Sequence, residues 1–229
     1  MQDVLDRLYA QAKEGRKFNR LLEIISSEDN ILLAYRNIKN NDGSKTKGTD
    51  GRIISYYKEW SEEKFVKYFQ GKFANYHPKS VRRVEIPKEG QPHKTRPLGI
   101  PCMDDRIFRQ CILQVLEPIG EAHFHKHSYG FRPNRATAHA IARSNHLMKA
   151  AGLHYVVDID IKGFFDNVNH GKLLKFQTER KYAHEDGQRT ALKKNSELKE
   201  FYFVRYADDF KIFCRDYKTA QEIFVATRL

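Results

Sequence analysis

Between Val4 and about Lys39 apolar residues return every three or four positions, as in Leu21, Leu22, Ile24 and Ile25 and then Ile31, Leu32 and Leu33. That spacing gathers them on one stripe of a helix and predicts two or three short helices. Ser26-Ser27-Glu28-Asp29 supplies a start signal between two of them. The period then breaks. Asn40 to Gly51, "NNDGSKTKGTDG", is rich in Gly, Asn, Asp and Lys and reads as a mobile or ligand-ordered loop. Val81 to Pro87 and Thr95 to Pro101 alternate polar and apolar residues around a Gly/Pro-containing turn, the signature of a β-hairpin. Helical spacing resumes in "MDDRIFRQCILQVLEPIGEA", with Ile107, Cys111, Val115 and Ile119 on one face, and in "NRATAHAIARSNHLMKAAG", where Asn134 reads as the cap and Gly152 as the stop. "HYVVDIDI" alternates as a strand, followed by a turn and short helix at "KGFFDNVNH". The charged interval Phe176 to Glu200 carries almost no aliphatic residues and reads as a linker. "FYFVRYADDFKIFCR" reads as two strands meeting at Ala207-Asp208-Asp209, and a helix begins at Tyr217.

Composition narrows the partner class. Forty-one Lys and Arg against 29 Asp and Glu give a formal charge of +12, spread along all 229 residues instead of gathered in a tail. Such a surface suits a polyanion, nucleic acid first. Basic residues line the expected hairpin at Lys79, Arg82, Arg83, Lys88, Lys94 and Arg96. The three cysteines form no C-x-x-C pair, which argues against a disulfide framework or a cysteine zinc site. The N-terminus lacks the apolar core of a signal peptide and no apolar run reaches about 18 residues, so a soluble cytoplasmic protein is expected.

Two adjacent aspartates between strand-forming aromatics need a reason, because side-by-side carboxylates repel. A carboxylate pair at a hairpin tip, with a third at the end of a separate strand, can hold two hard divalent cations for phosphoryl transfer. Asp208 and Asp209 supply the pair and Asp160 the third, with Asp158 on the same strand face as a lesser candidate. A polar hairpin turn is the plain alternative, although turn chemistry does not call for flanking aromatics. The glycine-rich stretch is no phosphate loop, since Gly48 is followed by Thr49-Asp50 where that motif needs Lys and Ser or Thr. His123 to His127, "HFHKH", lacks a partner that would fix metal geometry and reads as a helix end with a basic loop.

Tyr206-Ala207-Asp208-Asp209 resembles the Y-x-D-D box of reverse transcriptases, and "DIKGFFDNVNH" (Asp160 to His170) resembles their other catalytic-aspartate motif. "KTRPLGIP" (Lys94 to Pro101) and "YGFRPNRATAHA" (Tyr129 to Ala140) are similar to the group II intron branch, whose members are intron-encoded reverse transcriptases and maturases. The four motifs occur in the family's order across most of residues 40 to 229.

The resemblance implies an α+β fold: right-hand polymerase fingers and a partial palm, with an antiparallel palm sheet, packed helices and a helical N-terminal extension. It places the extension and an RNA-contacting loop at 1–80, fingers at 81–150 and an incomplete palm without a thumb at 151–229. Asp160, Asp208 and Asp209 become catalytic metal ligands for Mg²⁺, with the Ile161 carbonyl a further contact. Phe165 resembles the aromatic gate beneath the incoming sugar, although a buried core phenylalanine is the ordinary competing reading. Lys88 and Arg96 resemble the fingers residues that clamp the triphosphate, as a point charge and a bidentate guanidinium. Lys45, Lys47, Arg82, Arg83, Arg132 and Arg135 read as phosphate-backbone contacts, against the alternative of solvated charge. The implied partners are group II intron RNA, an RNA template with DNA primer, and dNTP; a homodimer is left open and no membrane is expected.

One interval departs from the family pattern. Relatives place a long palm helix and a P-Q-G box between the two aspartate motifs, and here "HGKLLK" passes straight into "FQTER". Either a segment is omitted at this junction or the chain is a truncated variant. The function expected is RNA-directed DNA synthesis; the alternative is a non-catalytic RNA-binding maturase module.

Overall fold

The computed structural model describes residues 1–160, 167–169, 171 and 200–227. The chain divides into two compact units, Met1–His123 and Phe124–Leu229.

The first unit is mainly helical: α1 Gln2–Lys13, α2 Leu21–Ile25, α3 Glu28–Lys39, α4 Glu62–Ala74 and α5 Met103–Glu121, with 3₁₀ turns at Asp42–Lys45 and Ile54–Tyr57. Ser27 stands at the N-cap of α3 as its sequence signal predicts, with Glu28 and Asp29 in the first turn where the helix dipole favours them. Ser61 caps α4 by accepting from the Lys64 N–H at 3.3 Å. The core gathers Ile31 from α3, Phe65, Phe69 and Phe73 from α4, and Ile107, Cys111 and Val115 from α5, all buried. Each fully buried aromatic or aliphatic side chain here contributes about 1.5–3 kcal/mol. Aromatic edges set the packing: Tyr57 meets Phe65 edge-on at 5.3 Å, and Tyr76 stacks on Phe108 at 3.7 Å.

The hairpin lies where alternation predicts it, as β1 Arg82–Lys88 and β2 Gln91–Ile100. The register runs from Arg82↔Ile100 to Pro87↔Thr95 and then shifts to Lys88↔Gln91. Gly90, at φ +71°, closes the turn.

The stretch from Asn40 to Gly51 corrects the expectation of a mobile loop. Arg106 on α5 donates to the carbonyls of Pro101, Gly43 and Thr46 at 2.9, 2.7 and 2.9 Å, and Arg82 donates to the Lys47 carbonyl at 2.9 Å. Gly48 lies flat against Cys102, where a Cβ would come within 2.6 Å of the Cys102 Cα. The polar composition that reads as mobility serves instead to feed carbonyls to one arginine.

The second unit holds α6 Thr137–Lys149, β3 Tyr155–Ile159, β4 Phe201–Tyr206, β5 Asp209–Cys214 and α7 Tyr217–Ala226. Its three strands form an antiparallel sheet in the order β3-β5-β4. Side chains alternate across it. Tyr202, Val204 and Phe213 on one face pack with Leu147 of α6, while Val157, Ile212 and Cys214 on the other pack with Ala220 and Ile223 of α7. The Asp216 carboxylate caps α7 by accepting from the Thr219 N–H at 2.9 Å. Asn134 does not cap α6: Ala136 takes that position, and Asn134 has a left-handed backbone at φ +56° in the preceding turn. With helices and antiparallel sheets in both units, the chain is mixed α and β, as the α+β expectation requires. The predicted short helix at "KGFFDNVNH" and the predicted linker fall largely outside the described residues. Among the described residues no helix is long and apolar enough to cross a membrane.

Candidate active site at the carboxylate turn

The β4–β5 connection is a two-residue turn closed by the pair Tyr206↔Asp209. Tight hairpin turns of this kind need positive φ at the first central residue, which suits glycine. Here the position is Ala207, at φ +57°. A left-handed alanine costs about 1 kcal/mol, so neighbouring structure must hold it.

That structure is the loop before α6. His127 and Tyr129 bracket Arg205 on the outer edge of β4: Arg205 N–H donates to the His127 carbonyl at 3.0 Å, and Tyr129 N–H donates to the Arg205 carbonyl at 2.8 Å. Ser128 is thereby bridged in parallel to Arg205. Gly130 then presses on the turn itself, with its Cβ position 2.2 Å from the Ala207 nitrogen. Only a residue without a side chain fits that approach. From the other side, the Arg205 guanidinium donates to the Ala207 carbonyl at 2.6 Å and lies over the Phe210 ring at 4.8 Å.

The register carries Asp160 to the same end of the sheet. β3 pairs with β5 through Asp158↔Lys211 and Ile159↔Phe210, so one further step sets Asp160 opposite Asp209. Asp158, Asp160, Asp209 and Lys211 therefore share the face that packs α6 farther along. Lys211 neutralises Asp158 at 2.6 Å, between two exposed side chains. Asp160 and Asp209 are exposed and Asp208 is half-buried. Among the described residues no side chain hydrogen-bonds or ion-pairs with any of these three carboxylates. Nor do the described residues contain a group of three His, Cys, Asp or Glu side chains arranged to hold a metal. A cavity of about 190 Å³ opens beside the turn, lined by Phe124, Ser128, Gly130, Phe131, Arg132, Arg205, Ala207 and Asp208.

Residues 86–190 match the family described as reverse transcriptase (RNA-dependent DNA polymerase). Over 174 residues, 75% of this chain, the sequence is 35% identical to the group II intron-encoded protein LtrA of Lactococcus lactis subsp. cremoris. Over three quarters of its length the chain is thus similar to group II intron-encoded proteins. Protein YkfC of Escherichia coli K12 is 33% identical over 171 residues, 73% of this chain. The putative COX1/OXI3 intron 1 protein of Saccharomyces cerevisiae is 30% identical over 162 residues, 69% of this chain. The matched stretches span 28%, 44% and 18% of those relatives' own lengths, so this chain covers less than half of each. Reverse transcriptases generally use divalent metal ions, and the carboxylates at the turn offer the oxygen donors that hard cations take.

The other expected site residues divide by unit. Lys88 and Arg96 are exposed on the β1–β2 hairpin of the first unit, Lys88 paired with Gln91 and Arg96 with Ile86. Lys45, Lys47, Arg82 and Arg83 are exposed there too, Arg83 forming an ion pair with Glu85 at 2.9 Å. In the second unit Arg132 and Arg135 already have structural work. Arg132 donates to the His125 and Ser128 carbonyls, both at 2.8 Å, and Arg135 donates to the Lys126 carbonyl at 2.9 Å. Both side chains thus help fix the loop that carries Gly130. Ile161 and Phe165 lie outside the described residues. His125 and His127 stack edge to face at 5.2 Å, and His125 lies against Phe203 at 4.5 Å.

Sequence reasoning assigned no role to Gly130 or to Phe131, though both stand inside the "YGFRP" stretch. Phe131 has φ +56° and is 83% exposed, with its ring 6.4 Å from that of Tyr206. It also passed over a buried ionic network in the first unit. Asp104 is 1% exposed and accepts hydrogen bonds from the Tyr57 hydroxyl and from Tyr68 at 2.7 Å. Lys72 pairs with it at 3.2 Å, and Arg52 and Lys79 both lie 3.8 Å away. Burial alone would raise the Asp104 pKa, but the two tyrosine hydroxyls and the Lys72 ammonium outweigh it and hold the carboxyl below its ordinary value. Asp105 beside it accepts from Tyr76 at 2.8 Å and from the Lys79 N–H at 3.3 Å.

Proposed function

We propose that the protein containing this chain is an RNA-directed DNA polymerase that extends a DNA primer on an RNA template, with intron RNA binding for splicing and retrohoming. The observation that carries the reading is the register that sets Asp160 beside the Asp208–Asp209 turn at one end of the β3-β5-β4 sheet. In this reading that sheet with α6 and α7 belongs to the palm and the β1–β2 hairpin to the fingers. The expected boundaries are an extension at 1–80, fingers at 81–150 and palm at 151–229.

The residue types would suit Mg²⁺, being three carboxylates with no nitrogen or sulfur ligand and with the neighbouring lysine already engaged by Asp158, although among the described residues their side chains do not converge on one point. When bound, the ions would activate the primer 3′-hydroxyl and offset charge on the leaving pyrophosphate. The chain's own contribution is positional. Asp160, Asp208 and Asp209 would bring negative charge to one end of the sheet, and the Gly130 loop would keep the turn from relaxing its left-handed residue. Lys88 and Arg96 would draw the triphosphate by charge, Arg96 with the fork geometry that matches phosphate oxygens. The exposed Lys45, Lys47, Arg82 and Arg83 would add sequence-independent backbone contacts.

The test is Asp208→Asn in the full-length protein, which preserves side-chain volume and removes one charge. Primer extension on an RNA template should fall by on the order of 10²- to 10³-fold, while template–primer binding in EDTA is unchanged. Complementary DNA made at the normal rate would overturn the assignment.

A further inference from the structure

Phe131 has the highest exposure of any large hydrophobic side chain among the described residues, at 83%. Its backbone is also left-handed, at φ +56°, which is rare for a bulky residue. An exposed ring gains nothing from burial and a left-handed backbone opposes it, so the chain's own packing does not explain the placement. Nor is the loop free to drop the ring elsewhere. Gly130 is pressed on Ala207, and Arg132 grips two carbonyls of the same loop. The ring is held out at the mouth of the cavity beside the carboxylate turn, near Tyr206.

The cavity lining specifies what it would take. Two arginines, Arg132 and Arg205, line it together with Phe131 and Asp208. Its volume of about 190 Å³ has room for one flat ring system, since a cavity of about 150 Å³ admits benzene. A flat π-face attached to an anion is the description of a nucleotide unit. Aromatic platforms flanked by cations are how proteins hold unpaired or end-exposed bases without reading their sequence.

We propose that Phe131 is a stacking platform for a nucleobase of the bound template–primer, with Arg132 and Arg205 facing the phosphodiester of the same nucleotide. This inference rests on the polymerase reading of the Asp208 turn and adds to it a binding residue that reaches nucleic acid without touching the reacting atoms.

The experiment is equilibrium binding of a fluorescent RNA template–DNA primer duplex to the full-length protein, in EDTA at fixed salt, paired with steady-state primer extension. Phe131→Ala should weaken binding roughly 5- to 100-fold, with the salt dependence unaltered because no charge is removed. Phe131→Tyr should bind within about twofold of the parent, since it keeps the ring. Phe131→Gly relaxes the left-handed backbone and should fold at least as well as the parent while binding as weakly as the alanine variant, which separates lost stacking from lost structure. Parental affinity in Phe131→Ala and Phe131→Gly would overturn the inference. Asp208→Asn distinguishes the two failures: extension lost in it, with Phe131→Ala unaffected, refutes stacking alone, whereas extension kept in it refutes the polymerase reading.

Discussion

Gly130→Ala is the sharpest perturbation available, because one methyl group is aimed at the backbone of the carboxylate turn. The added carbon would stand 2.2 Å from the Ala207 nitrogen, 2.9 Å from its Cα and 3.0 Å from the Tyr206 carbonyl carbon. Non-bonded heavy atoms settle near ~3.5 Å, so loop and turn must part by about 1 Å. Neither side yields easily: the loop is hydrogen-bonded to Arg205 on both sides of Ser128, and the turn is tied by the Arg205 guanidinium. Overpacking of this kind costs about 1–3 kcal/mol, a fall of roughly 2–4 °C in Tm per kcal/mol for a chain of this size. The larger effect falls on chemistry, since a displacement of about 1 Å in a catalytic group costs on the order of 10²-fold in rate. The assay is single-turnover primer extension by the full-length protein at saturating template–primer and dNTP, read beside thermal unfolding. Gly71→Ala is the matched control. It lies in α4 with no atom within 4 Å of its Cβ position, and alanine there should leave the rate alone and stabilise by up to about 1 kcal/mol. Gly130→Ala with parental rate and parental Tm would refute the buttressed turn.

Two further outcomes concern stability and reactivity. Asp104→Asn should destabilise by about 3 kcal/mol in denaturant unfolding, because the Tyr57, Tyr68 and Lys72 donors lose the charge they surround. Asp104 has a depressed folded pKa, so its contribution is complete above its unfolded value of 3.8 and disappears as pH falls through the folded one. The variant should therefore show a flatter stability profile below about pH 4, and an identical acid limb in variant and parent would contradict this assignment. The thiols of Cys111 and Cys214 are pushed up by burial to about 12 and about 11. At pH 8 neither should react with a disulfide reagent within minutes in the native state, whereas all three cysteines should react in guanidinium; rapid native labelling of either would count against the packing around them.

The chain's local grammar was readable and its tertiary approaches were not. Alternation located β1, β2 and β3, and adjacent aspartates between aromatics marked the turn where β4 and β5 meet. The approach of the candidate carboxylates follows from the same pattern: strand register, with its period of two, sets Asp160 opposite Asp209. Gly130 carries no comparable mark, since nothing in "HSYGFRP" says which backbone it will touch. Asp104 was hidden differently. Acidic residues in a first helical turn are expected on a solvated face, and the tyrosines and lysine that bury this one come from segments well upstream. The Asn40–Gly51 stretch misled because glycine and lysine content measures what a loop could do unaided, and Arg106 takes that freedom away.

The strip His127–Tyr129 has a bearing on solubility as well as on the turn. An exposed strand edge is a template on which another chain can add itself. At the carboxylate end of β4 the outward N–H and C=O of Arg205 are already taken by this strip. An intruding strand from a second molecule would have to peel the loop away before it could extend past Phe203. The carboxylate end of the sheet is thus closed to edge-on aggregation by its own chain.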